Sequence, residues 1–272
     1  MRLNISHTTR YSYSEPIRRI TQSMRLFPTP HAGQTIESWN VETPEGSKGT
    51  QIIDGAGNII QTNSIENPPD IVEIRVAGVV ETSDTNGVLR DHTEFIHPLS
   101  YLQKTHATRA DRAITEMTNE VISNPEDQIS IEKIHALANR VSDALTYETA
   151  STSVTTTARQ ALENGCGVCQ DYAHLLISAC GVVGLPARYI SGYLLASDRL
   201  SPDEASHAWA EVYVSDLGWV GFDPANHCCT NENYVRLASG LDANRAAPIR
   251  GISRGVSHER LEVEVAVQSM QQ

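Results

Sequence analysis

The chain has 272 residues, 40% of them hydrophobic and 20% charged, and 21 Lys and Arg against 33 Asp and Glu give it a net charge of −12. With a mean hydropathy of −0.30 it reads as a folded globular protein, and its acidity excludes both a phosphate-contacting nucleic-acid surface and docking on an anionic membrane. No stretch approaches the ~18 uncharged apolar residues of a membrane span, and the opening MRLNISHTTRYSYS lacks a signal peptide's apolar run, so the expected compartment is the cytoplasm.

Residues 1 to about 100 read as β-structure. Residues 2–6 alternate, and Tyr11 and Tyr13 continue the period of two. Residues 36–41 do the same, with Ile36, Trp39 and Val41 as apolar positions. Ile52-Ile53 and Ile59-Ile60 flank the glycine-rich DGAGN of 54–58, which predicts a hairpin. Residues 71–80, rich in β-branched side chains, predict another strand.

From about 105 the period changes. Ile114, Met117 and Val121 within 107–123, and Ile131, Ile134, Leu137, Val141 and Leu145 within 130–146, recur at helical spacing, the second group preceded by Asp127 and Ser130 as possible caps. A short helix over 155–165 ends at Gly165, and an apolar helical run from Cys169 to Val183 ends at Gly184 with Pro186 just beyond. Strand patterns return at 187–195, 208–214, 218–222 and 261–267. The boundary between a β-rich N-terminal domain and a second domain is therefore placed at 104/105.

The five cysteines, Cys166, Cys169, Cys180, Cys228 and Cys229, are an odd number, and in a chain with no export signal they read as thiols, ligands or a nucleophile. Cys169 stands where a glycine-containing loop turns into a helix. Unpaired N–H groups and the helix dipole there favour a thiolate, and the residue's own N–H is placed to hold an oxyanion. His207 opens an alternating strand and Asp223 closes the next. If those strands pair as antiparallel neighbours, His207 takes the thiol proton and Asp223 orients the ring.

Other residues in this stretch have plainer readings. Gln170 is expected to face solvent or cap locally, Asp171 to sit in the first helical turn for the dipole's sake, and His174 to lie off the face of Cys169. Trp209, Trp219, Tyr189 and Tyr193 read as strand core before substrate platform, Arg188 as structural before carboxylate-binding, and Cys180 as packing. A second oxyanion donor is expected upstream, at Tyr147 or Asn164. Cys166 and Cys169 with Cys228, Cys229, His207 and His227 offer enough ligands for zinc, but adjacent cysteines on an extended chain point to opposite faces, so no metal is expected. A redox pair at Cys166 and Cys169 would need a preceding βαβ unit, and helices precede it here.

The runs GVCQDYAH (167–174), GLPARYISGY (184–193), SHAWAEV (206–212) and GWVGFDP (218–224) resemble the bacterial transglutaminase-like cysteine peptidase family, part of the transglutaminase and papain-like superfamily. HTTRYSYSEPI (7–17) and SMRLFP (23–28) are similar to the β-rich N-terminal region that such proteins carry. The resemblance implies an α+β fold, with a papain/transglutaminase-like core of a nucleophile helix on an antiparallel sheet (105–272) behind the N-terminal β-rich domain (1–104). It implies a Cys-His-Asp triad at Cys169, His207 and Asp223 and attack on peptide or protein amide bonds through a thioester. Peptidase or deamidase chemistry stands ahead of cross-linking, and no cofactor is expected. The alternatives are a binding or scaffold protein on the same fold, or a zinc-binding Cys/His protein.

Overall fold

The structure, a computed structural model, describes residues 1–123, 129–195, 205–255 and 258–270. Seven strands come first: β1 (Arg2–Tyr13), β2 (Arg19–Phe27), β3 (Gln34–Glu42), β4 (Ser47–Lys48), β5 (Ile52–Ile53), β6 (Ile59–Glu66) and β7 (Ile71–Thr82). After a 3₁₀ turn over Pro98–Leu102 follow α1 (Arg112–Val121), α2 (Ile131–Ala144), β8 (Thr146–Tyr147), α3 (Ala158–Asn164), β9 (Cys166–Gly167) and α4 (Cys169–Val182). The chain closes with β10 (Ala187–Leu194), β11 (Ser206–Val214), β12 (Gly218–Asp223), β13 (Cys228–Cys229), β14 (Tyr234–Gly240), β15 (Ile249–Arg254) and β16 (Glu259–Ser269). Among the described residues no helix is long and apolar enough to cross a membrane.

The first strands form two facing sheets, in the orders β16-β1-β7-β3 and β15-β2-β6-β4, with β5 paired to β6 in the expected hairpin. Asp54 makes that turn by accepting the N–H groups of Ala56 and Asn58. Tyr11, Tyr13, Val72, Ile74 and Val76 from one sheet pack on Ile20, Met24, Leu26 and Ile65 from the other. Trp39 falls three residues after Ile36 because a bulge between Ile36 and Ser38 resets the alternation. The destination of the last strand has no local signal: β16 pairs along the whole of β1, and β15 pairs with β2. Both ends of the chain therefore build the same two sheets.

The central sheet runs β13-β12-β11-β10-β14, antiparallel throughout. α4 lies against β10 and β11, with α1, α2 and α3 packed around it. Its core joins Ile114, Ile134, Leu137, Val141, Leu175 and Leu176 to Ala208, Ala210 and Val212 of β11. β10 is buried at every position, because both faces of the sheet are covered, so its burial does not alternate. Leu3, Ile5 and Val80 meet Tyr193, Val235 and Leu237, which locks the N-terminal sheets to the central one. The free edge of β14 is closed by two side-chain amides. Gln34 accepts from the N–H of Arg236 at 2.8 Å and donates to its carbonyl at 3.0 Å, and Asn58 does the same for Ser239 at 2.8 and 3.0 Å. Each amide stands in for one residue of a neighbouring strand.

The helix expected over 107–123 is shorter than its apolar spacing suggests, because Asp111 caps it by accepting the N–H of Ile114. Ser130 is the N-cap residue of α2 without a side-chain bond; Asp127 lies outside the described residues. Thr157 and Gln160 form a capping box at the start of α3, and Gly165 ends it in the left-handed region at φ 68°.

Candidate active site

Three local devices place Cys169. Gly165 turns the chain out of α3, and β9 then pairs in parallel with β8, Cys166 beside Thr146 and Gly167 beside Tyr147. Gly167 has no room for a side chain: a Cβ there would lie 2.7 Å from the Cβ of Asp171. Asp171, buried in the first turn of α4, accepts the N–H of Val168 at 2.9 Å and the hydroxyl of Thr152 at 2.6 Å through one oxygen. Burial pushes its carboxyl pKa up, and those two bonds oppose the rise. The turn is thereby tied to the 148–153 loop, and Cys169 is the first residue of the helix, half-buried. That end of a helix carries unpaired N–H groups and the positive end of its dipole.

His207 and Asp223 are brought together by strand pairing. β11 and β12 run antiparallel with Ala210 opposite Phe222, so the end of β12 lies beside the beginning of β11 and the two side chains meet diagonally. Nε2 of His207 lies 2.6 Å from Oδ2 of Asp223, both residues being buried. Cys169 acts on the same ring, its sulfur being one of the groups that favour a proton there. With Nε2 committed to the carboxylate, Nδ1 is the nitrogen left for the sulfur. Burial opposes a charge on the imidazole, but the Asp223 carboxylate and Cys169 outweigh it and hold the His207 pKa well above its ordinary value. Burial likewise opposes ionisation of Asp223, and the charge and hydrogen bond of His207, with bonds from Asn226 and Tyr234, hold its pKa below the ordinary value.

Asp223 has more partners than His207. Its Oδ2 also accepts from Asn226 Nδ2 at 2.7 Å and from the Tyr234 hydroxyl at 2.8 Å, and its Oδ1 accepts the N–H of Ala225 at 3.1 Å. One residue further on, the carbonyl of Pro224 accepts the hydroxyl of Ser142 in α2 at 2.6 Å. Trp209 lies stacked beside His207, ring centroids 6.4 Å apart, and Tyr234 meets Trp209 edge-on.

The structure thus brings Cys169, His207 and Asp223 into one cluster. Of the two expected oxyanion donors, Tyr147 is exposed on β8 beside Gly167, and Asn164 is exposed at the end of α3. Gln170 is half-buried and donates to the carbonyl of Ser153 at 3.4 Å. His174 is buried on α4 itself, where it accepts the N–H of Ala243, and burial lowers its pKa to about 4. Arg188 is buried and paired with Glu211 at 2.7 Å and with Glu94, its guanidinium 3.9 Å from the ring of Trp219. All five cysteines are free thiols, and burial pushes that of Cys180 up to about 12. Among the described residues no group of three or more His, Cys, Asp and Glu is arranged to hold a metal ion. The reading of the sequence missed Asn226, Tyr234 and Ser142. Asn226 had a signal, the Asp-Pro-Ala-Asn turn; the other two lie on a strand and a helix whose own patterns say nothing of Asp223.

A cysteine at the N-terminus of a helix, packed on an antiparallel sheet that carries a histidine and an aspartate, defines the transglutaminase-like class of fold. Residues 115–224 match the transglutaminase-like superfamily and residues 3–81 match the bacterial transglutaminase-like N-terminal region, so the chain belongs to the bacterial transglutaminase-like proteins that combine these two parts. An uncharacterized protein of Mycobacterium leprae is 26% identical to it over 284 aligned residues, covering 98% of each chain. Another, from Mycobacterium tuberculosis, is 28% identical over 274, covering 92% of this chain and 87% of its own length. A candidate cysteine protease from Cytophaga hutchinsonii has the same fold, with a TM-score of 0.76 at 19% identity over 100% of this chain and 92% of that one.

Proposed function

We propose that the chain is a cysteine-dependent hydrolase or acyl transferase acting on amide bonds of peptides or proteins, with Cys169 as nucleophile, His207 as base and acid, and Asp223 as the anion that orients it. The observation that carries this reading is the buried line from Cys169 through His207 to Asp223, open at the sulfur and closed at the carboxylate. Asp223 holds the proton on Nε2, and Nδ1 takes the thiol proton to give a thiolate–imidazolium pair. The sulfur attacks the amide carbonyl carbon, and the N–H of Cys169 holds the oxyanion. Tyr147, on the strand beside Gly167, is the second donor we assign ahead of Asn164. As the tetrahedral intermediate collapses the C–N bond breaks, Nδ1–H protonates the leaving amine, and a thioester remains. Water, losing its proton to Nδ1, then gives the carboxylic acid and frees the thiol. A primary amine in its place gives a new amide.

A peptide-library screen read by mass spectrometry, with and without an added primary amine, separates cleavage, deamidation and amine transfer in one assay. We expect hydrolytic products to dominate. Faster alkylation of Cys169 by iodoacetamide at neutral pH than of the other four cysteines is expected as well. A Cys169 no more reactive than exposed Cys228 would return the fold to a binding or scaffold role.

A further inference from the structure

Asp223 receives three donors on one oxygen, more than orienting a histidine requires. We propose that Tyr234 is a positioning residue of the His207–Asp223 pair: its hydroxyl, given to the same Oδ2 that faces His207, sets how tightly that pair holds the shared proton. The inference rests on the proposed roles of Cys169, His207 and Asp223. Tyr234 sits on β14, two strands away from β11 in the sheet, and its oxygen lies 2.8 Å from Oδ2 of Asp223. The Cys228 thiol lies 3.3 Å from that oxygen on its other side. Burial and the charge of Asp223 push the Tyr234 pKa far up, so its hydroxyl stays protonated and can only donate to the carboxylate.

The physical consequence has a definite sign. A hydrogen bond to the carboxylate stabilises its charge and lowers its pull on the imidazole proton. In a buried pair that pull is strong, and an imidazolium held too firmly is a poor acid toward the leaving amine. Tyr234 and Asn226 relax it. The other groups facing this cluster are Cys169 from α4, Tyr189 from β10, which feels the Cys169 sulfur, and Cys228 from β13. Behind Trp209 and Tyr234 a cavity of about 40 Å³ is lined by the Glu211–Arg236 pair and His31. The pair offers no unbalanced charge, and burial lowers the His31 pKa to about 4, which leaves it neutral over the working range.

The test follows the pH dependence of Cys169 alkylation by iodoacetamide, read at the peptide level by mass spectrometry, which needs no substrate. Removal of the hydroxyl in Tyr234→Phe keeps the ring against Trp209. Asp223 then binds the His207 proton more tightly, and the thiolate–imidazolium pair persists to lower pH. The alkylation midpoint is expected to move down by about half a pH unit, roughly threefold in rate on the acid limb. Asn226→Ala, at an exposed residue, is expected to move it the same way, and Asp223→Asn to move it up. A second reading avoids the thiol: in Cys169→Ala, adding Tyr234→Phe is expected to raise the His207 titration midpoint seen by NMR. A Tyr234→Phe midpoint that stays put or rises, while Asp223→Asn shifts upward, overturns the role of Tyr234 alone. An Asp223→Asn midpoint that does not move overturns the roles of His207 and Asp223 on which it rests.

Discussion

Two clusters of buried charge share one strand, one at His207 and the other at Glu211, on the same face of β11. In the second, Glu211 bonds Arg188 at 2.7 Å and Arg236 at 2.8 Å, and Arg188 also pairs with Glu94, whose other oxygen accepts the Trp219 indole. Every charge there has an opposite partner within the protein. Such a network fixes geometry, because its two guanidinium groups and two carboxylates are balanced and buried, although Nη2 of Arg188 is left without a partner. In the first, Asp223 is closed off by His207, Asn226, Tyr234 and Ala225, but the far end of the line is the Cys169 thiol at a helix terminus. On the proposed reading, saturation at one end and a thiol at the other distinguish a chemical site from an ionic staple.

The largest effect that tests this contrast is expected from Cys169→Ala. It should end turnover while leaving the thermal midpoint nearly unchanged, since little packing is lost, and Cys166→Ala should keep most activity. Equal loss in both variants, measured as product formed per folded molecule, would favour the redox or zinc readings of the Cys166–Cys169 pair. His207→Ala comes next, with losses on the order of 10²–10⁴-fold for the general acid–base step, and Asp223→Asn is expected to cost less. Because the three act as one unit, the His207→Ala, Asp223→Asn double variant should be hardly worse than His207→Ala alone. Additive losses in kcat would detach Asp223 from His207.

The ionic staple should respond the other way round. Glu211→Gln leaves two buried guanidinium groups short of counter-charge and is expected to destabilise the fold by about 3–5 kcal/mol in urea unfolding, while the remaining folded protein keeps its turnover. Loss of turnover without loss of stability would erase the distinction between the clusters.

Acid should dismantle the structure in two stages, the smallest effect of the series per group. Burial lowers the pKa of His7, His92 and His174 from 6.5 to about 4, and burial with the nearby Arg236 does the same to His31. The unfolded chain binds these protons first, so stability falls as the pH drops from about 6.5 toward 4. Burial opposes ionisation of Glu211, yet Arg236 and Arg188 prevail and hold its pKa at about 2, against an ordinary 4.5. Its contribution is therefore complete above 4.5 and is lost as the pH falls toward 2. Urea midpoints measured from pH 7 to pH 3 should show the histidine stage in the wild type, and His7→Asn should shrink it. A flat profile between pH 6.5 and 4 would place those histidines in water.

The residues of the sequence alone determined what depends on neighbours along the chain. The period of two before residue 100 and of 3.6 after 105, the glycine turn at 54–58, the end of α3 at Gly165 and the start of α4 at Cys169 are all written in short windows, because side-chain direction and helix termination are local properties. Tertiary structure decided everything that joins distant windows. A charged residue has the same local signature whether it ends in solvent or, like Glu211 and Arg188, in the core. Gln34 and Asn58 look like ordinary polar residues until the free edge of β14 arrives beside them. The alternation of 261–267 marks a strand but names no partner, and only the folded chain lays it along β1. Likewise His207 and Asp223 lay open to inspection, while the Tyr234 hydroxyl that meets them comes from a strand reached only after the sheet has closed. Pattern is local; pairing is set by the burial of many surfaces at once.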